Sequence, residues 1–138
     1  MPKIYECGLI VRGYELDSFG HVNHAVYFNY LEHARWSLLE QEGITLKQLN
    51  DWNRWPVIAG VEAFYLKPTF MGERLLVKTQ VLGQGRSAFV FDQTIERDGT
   101  PIFRAKLRSV IVNGKGRPTE PPPEIRRLWT TTPEPETS

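Results

Sequence analysis

Asp17-Ser18-Phe19-Gly20-His21-Val22-Asn23-His24, running straight into AVYFNYLEHARWSLLE (residues 25–40), decides how this chain is read. Up to His24 the stretch is short, polar and glycine-containing. From Ala25 the pattern changes period: Tyr27, Tyr30, Leu31, Ala34, Leu38 and Leu39 recur three and four residues apart, which predicts a helix with one buried stripe. Gly43 fits its C-terminal stop. Asn23 suits the N-cap, Gly20 a tight turn, and Asp17 an acceptor for loop backbone. Those roles describe a helix cap and nothing more. Yet a helix start also presents unpaired N–H groups at the positive end of the dipole, and a carboxylate beside it can act as base or nucleophile. Oxyanion donor and carboxylate together suit acyl transfer.

Residues 4–12 (IYECGLIVR) read as a strand ahead of this stretch. After the helix, TLKQLND from Thr45 fits one further helical turn, and Trp55 to Leu66 reads as extended up to Lys67-Pro68. RLLVKTQVL alternates as a strand does, then turns at Gly83-Gln84-Gly85. In SAFVFDQTIER, Phe89, Phe91 and Ile95 share a face opposite Asp92, Thr94 and Glu96, and Asp98-Gly99 signals a hairpin. In the partner strand IFRAKLRSVIV, Phe103, Ala105, Leu107 and Ile111 oppose Arg104, Lys106 and Arg108. The order of strand, long helix and four more strands, read as an antiparallel meander with the helix on one face, is an α+β layout. The uncovered face or edges of such a sheet are expected to meet a second subunit. From Pro118 onward, six of the ten prolines fall in the last 21 of 138 residues. The expected division is therefore a domain over 1–117 and an extended or disordered Pro-rich tail over 118–138, with Leu128 and Trp129 as docking points.

The totals narrow the classes. Apolar residues at 41% and charged residues at 24% fit one globular domain, and no apolar run reaches the roughly 20 residues of a membrane helix. Seventeen Lys and Arg against 16 Asp and Glu give no general affinity for nucleic acid or an anionic membrane. Cys7 is the one cysteine, so no internal disulfide is possible, and MPKIYECG lacks the apolar core of a secretory signal; the cytoplasm is expected. Cys7 itself reads as a small apolar residue. His21, His24 and His33 lack a metal-ligand spacing, no G-x-S-x-G elbow is present, and Gly83-Gln84-Gly85 has neither the length nor the lysine of a phosphate loop. No metal and no cofactor are expected.

DSFGHVNHAVY (17–27) continued by YLEHARW (30–36) resembles the signature of hotdog-fold acyl-CoA thioesterases of the 4-hydroxybenzoyl-CoA thioesterase, YbgC and FadM type, most of all the FadM-like members. The strand order agrees over about residues 3–113. The resemblance implies a curved antiparallel sheet wrapped around one long helix. It also implies hydrolysis of a medium- or long-chain fatty acyl-CoA, with aromatic acyl groups still open, in a homo-oligomer, dimer or tetramer. On this reading Asp17 activates water or attacks the carbonyl, and the backbone N–H of His24 faces the thioester oxygen. Asn23 orients the loop or water, and His21 positions or tunes Asp17, unless each is purely structural. Tyr27 lines the acyl pocket or the core; Arg86 and Ser87 meet the nucleotide of coenzyme A or form a solvated turn. Phe64, Tyr65, Phe89 and Phe91 line an acyl tunnel or fill the core, and Glu32 and Arg35 pair across the helix surface. His24 stands where many relatives have a second asparagine, which bears on pocket shape more than on hydrolysis. An acyl-carrier-protein thioesterase and a non-catalytic acyl-CoA binding protein are the rivals.

Overall fold

The computed structural model describes residues 3–130. Its elements are β1 (Tyr5–Ile10), a single 3-10 turn (Gly13–Glu15), α1 (Val26–Gln41), α2 (Leu46–Trp52), β2 (Trp55–Tyr65), β3 (Arg74–Gly83), β4 (Ala88–Arg97), β5 (Thr100–Val112), α3 (Pro123–Arg126) and β6 (Trp129–Thr130). The strands form one sheet in the order β1-β3-β4-β5-β2, antiparallel throughout, with β6 added parallel to β3. This is the α+β hotdog arrangement, and α1 lies along the inner face.

The helix forms where the apolar spacing predicts it. Tyr27, Tyr30, Leu31, Ala34 and Leu38 are its buried stripe, and Leu31 and Leu38 are wholly inaccessible. They meet Val77 and Val81 of β3, Phe89, Phe91 and Ile95 of β4, and Phe103, Leu107 and Ile111 of β5, which alternate inward as the pleat requires. Asp98 and Gly99, both at positive φ, close the β4–β5 hairpin with the twist that antiparallel strands need.

Three expectations are corrected. The meander covers β3, β4 and β5 only: β2 pairs with the far side of β5, because the two edges of β3 are taken by β4 and β1. The chain returns from β2 to β3 across the end of the sheet, where Thr69 accepts the Val22 N–H at 2.9 Å and Val11 accepts the Gly72 N–H at 2.9 Å. The single turn at Thr45 is the seven-residue helix α2, started by a reciprocal cap: Thr45 Oγ1 accepts the Gln48 N–H at 3.1 Å, and Gln48 Oε1 accepts the Thr45 N–H at 2.8 Å. Regular packing also continues past residue 117, with Leu128 and Trp129 docking as expected. Thr119 N–H donates to Ile111 O at 2.8 Å, Ile125 and Leu128 are buried, and Trp129 stacks on Phe89 at 5.3 Å. Residues 131–138 of the expected tail lie outside the described residues.

Candidate active site

The loop between β1 and α1 is built by its own short side chains. Asp17 N–H donates to His21 O at 2.7 Å, and Gly20, at φ 82°, donates to Asp17 O at 3.1 Å. One carboxylate oxygen of Asp17, Oδ1, accepts the N–H groups of Phe19 at 2.9 Å and His21 at 3.1 Å. That fixes the side chain, while Oδ2 has no hydrogen-bond partner among the described residues. Asp17, His21, His24, Tyr27 and Tyr65 border one open cleft of about 290 Å³.

Asn23 starts the helix without being its formal cap. Its Oδ1 accepts the Ala25 N–H at 2.9 Å and its carbonyl accepts the Val26 N–H at 2.9 Å, so the first turn is tighter than an α-turn and begins two residues early. Asn23 is turned to the backbone and is absent from the cleft wall. The His24 N–H, at the head of this turn, finds no acceptor among the described residues, while the His24 carbonyl accepts the Tyr65 hydroxyl at 2.7 Å. His21 presents its ring edge-on to Phe70 at 5.1 Å. Tyr27 is buried, stacked on Phe103 at 4.9 Å, with its hydroxyl 2.9 Å from Thr69 Oγ1.

One further residue, Glu15, holds this loop and was not singled out by the pattern of the sequence. Glu15 is only 6% exposed, and its Oε1 accepts the Tyr30 hydroxyl at 2.7 Å and the Arg12 N–H at 2.8 Å. Its carbonyl accepts the Asn23 N–H at 2.9 Å. Glu15 thus fastens both ends of the Asp17 loop to the middle of α1. Burial, and then the hydrogen bond to the Glu15 carboxylate, push the Tyr30 phenol far above its usual range, so it remains a donor. The one signal in the sequence was an acid two residues before Asp17 with a tyrosine on the buried stripe.

The structure does not gather every expected residue into one cleft. Arg86 and Ser87 border a separate cleft of about 440 Å³ with Arg54 and Thr119, and Arg86 is ion-paired to Glu120 at 2.7 Å. Along β5, the Phe103 end near Asp17 and the Val110 end near Arg86 are separated by about 23 Å. Phe64 does not fill the core: it is 54% exposed, beside Arg104 on the outer face. Glu32 and Arg35 form no ion pair. The Arg35 guanidinium turns inward to Gln93 Oε1 at 3.0 Å and over the Phe91 ring, and burial draws its pKa down.

Residues 11–128 match the model of the thioesterase-like superfamily. The chain belongs to this family and is a thioester hydrolase. Among curated proteins it is 35% identical over 128 residues to the acyl-acyl carrier protein thioesterase ATL3 of Arabidopsis thaliana, covering 91% of this chain and 67% of that one. It is 29% identical to the long-chain acyl-CoA thioesterase FadM of Escherichia coli, over 76% of this chain and 80% of that one. A thioesterase from Thermus thermophilus, solved with coenzyme A and zinc, superposes with a TM-score of 0.76 at 29% identity, over 93% of this chain and 98% of that one. Among the described residues no group of three or more His, Cys, Asp or Glu is placed to hold a metal ion, and no helix is long and apolar enough to cross a membrane.

Proposed function

We propose that this chain hydrolyses the thioester of a medium- or long-chain fatty acyl-CoA, with Asp17 as the reactive carboxylate and the His24 N–H as the oxyanion donor. The observation that carries the reading is the pairing of an unpartnered Asp17 Oδ2 with an unpartnered helix-start N–H on one cleft. With Asp17 as general base, Oδ2 takes a proton from water while the water oxygen adds to the carbonyl carbon. The carbonyl oxygen becomes negative and is held by the His24 N–H. The carbon–sulfur bond then breaks, and coenzyme A leaves as a thiolate that takes up a proton. With Asp17 as nucleophile, Oδ2 itself displaces the thiolate, and water hydrolyses the resulting anhydride. Single turnover in heavy-oxygen water probes the routes, since solvent label on Asp17 arises only by the second, when water attacks the aspartyl carbon of the anhydride.

Coenzyme A is the favoured carrier because FadM is a long-chain acyl-CoA thioesterase and the Thermus thioesterase was solved with coenzyme A. The 35% identity to ATL3 favours an acyl-carrier protein as the second reading. Thiol release from matched acyl-CoA and acyl-carrier-protein thioesters decides: a higher kcat/KM on the protein carrier overturns the first choice. His21 packs beside Asp17 and limits its swing; Asn23 shapes the helix start and leaves Tyr27 to wall the acyl entrance.

The working unit we propose is a homo-oligomer, at least a dimer and in its larger form a homotetramer. The support is the free edge of β2, which is eleven residues long and exposes Val57, Val61 and Tyr65. Antiparallel pairing of two such edges sets the Trp55 end of one β2 beside the Tyr65 end of the other. The partner's Arg86 and Ser87 then approach the Asp17 cleft, where a guanidinium suits the phosphates of coenzyme A. Cys7 as the sole thiol suits a reducing compartment such as the cytoplasm.

A further inference from the structure

A second cavity, of about 360 Å³ and largely apolar, lies at the other end of α1. Trp36 and Leu39 of α1, Leu46 of α2, Phe89 of β4, and Leu128 and Trp129 of the C-terminal segment form its walls. Two rows of side chains flank the span, or trough, between it and the Asp17 cleft. On one bank, Phe28, Glu32, Arg35 and Leu39 follow at four- and three-residue spacing along one stripe of α1, and Phe28 meets the Phe103 ring that also contacts Tyr27 and Tyr65. On the other bank, the inward residues of β2, Tyr65, Val61 and Ile58, are 50%, 49% and 37% exposed. From Phe28 to Leu39 the helix advances about 16 Å.

We propose that this cavity receives the tail of the acyl chain whose thioester sits at Asp17, and that the C-terminal segment is the end wall that sets chain length. The inference rests on the hydrolase reading above and deepens it. A single aromatic ring held at Asp17 cannot bridge the trough, whereas an extended aliphatic chain can, so the site selects fatty over aromatic acyl groups. The wall is firmly placed. Trp129 and Thr130 pair with Val81 and Leu82, the Arg126 guanidinium lies 4.9 Å over the Trp129 ring and donates to Arg86 O at 3.0 Å, and Glu120 holds Arg86. The pocket is of a size and lining usual for an apolar ligand.

Three of the four tryptophans, Trp36, Trp55 and Trp129, border the cavity and none borders the Asp17 cleft. Intrinsic fluorescence of the full chain is therefore titrated with ω-bromododecanoate and α-bromododecanoate, the bromine acting as a contact quencher. The proposal predicts saturable quenching that is markedly deeper with bromine at the ω end. Equal quenching by both, or saturable quenching by neither, overturns it. In a second arm, Leu46→Trp narrows the cavity away from Asp17. Its kcat/KM on hexadecanoyl-CoA should fall by about tenfold relative to octanoyl-CoA, and an unchanged ratio in the folded variant counts against the cavity. If no thioester is hydrolysed while ω-selective quenching persists, the hydrolase reading fails and the tail site stands.

Discussion

Asp17 Oδ1 is occupied by two backbone donors and Oδ2 has no partner among the described residues, so the side chain is fixed in the orientation that the proposed chemistry requires. Asp17→Asn should reduce kcat on the best acyl-CoA by at least about a hundredfold with its melting temperature near wild type, as thiol-release kinetics and thermal melts would show. His24→Ala should cost far less, because the proposed donor is the backbone. Tyr30→Phe leaves Glu15, buried beside the loop, without one of its donors, and stability should fall by about 1–3 kcal/mol in urea titration. A separate residue-scale effect concerns Glu42, whose carboxylate receives Lys3 Nζ at 2.6 Å and the Tyr5 hydroxyl at 3.0 Å. The hydrogen bond from Lys3, first, holds its pKa below the ordinary 4.5. A depressed carboxylate stabilises the fold above its unfolded pKa and loses that contribution as pH falls through the lowered folded value. The melting-temperature gap between wild type and Glu42→Gln should therefore be full near neutrality and close below about pH 4.5. The loop that carries Asp17, Asn23 and His24 was legible as the start of a helix because a crowded polar run precedes a clear helical period. The bond from Tyr65 to the His24 carbonyl was not, since it joins residues 41 apart in sequence.

The elements follow from local patterns wherever one pattern suffices. The buried stripe of α1, the Asp98-Gly99 hairpin and the inward positions of β4 and β5 were all readable from period and turn chemistry. Gln93 broke the pattern. It is fully buried on β4, made tolerable by bonds to Leu31 O, Thr79 Oγ1 and Arg35, which periodicity cannot show. Leu31→Ala should cost about 2–5 kcal/mol in urea titration, as its side chain is wholly enclosed. In the C-terminal segment the docking points Leu128 and Trp129 were legible, whereas the short helix and strand around them were not: its prolines argue against regular structure, yet Ile125, Leu128 and Trp129 supply enough apolar surface to hold it on the sheet. Gly83 is where that docking is tightest. A Cβ there would lie 2.8 Å from the Trp129 ring, so Gly83→Ala should displace Trp129, red-shift the tryptophan emission and destabilise the fold by about 1–3 kcal/mol.

At the scale of the molecule, one copy holds the Asp17 cleft and the Arg86 cleft at opposite ends of its sheet, and the proposed pair joined through β2 would bring them face to face. The place of β2 at the edge was the part of the topology that the sequence order concealed, because consecutive strands usually pair with one another and here the return loop crosses the sheet end. Val57→Lys, which puts a charge on the free apolar strand at a position facing away from the acyl path, should shift the chain to a monomer in light scattering and raise KM for acyl-CoA; a stable wild-type-like oligomer with that charge in place would contradict the β2 interface. The central claim is that the loop capping α1 is also the hydrolytic centre. The most direct measurement follows free thiol released from a panel of fatty acyl-CoA thioesters by wild type and Asp17→Asn at equal concentration. The account predicts steady release by wild type and near-complete loss in the variant, with acyl-CoA binding retained; equal release by the two proteins, or none by wild type across the panel, would contradict it.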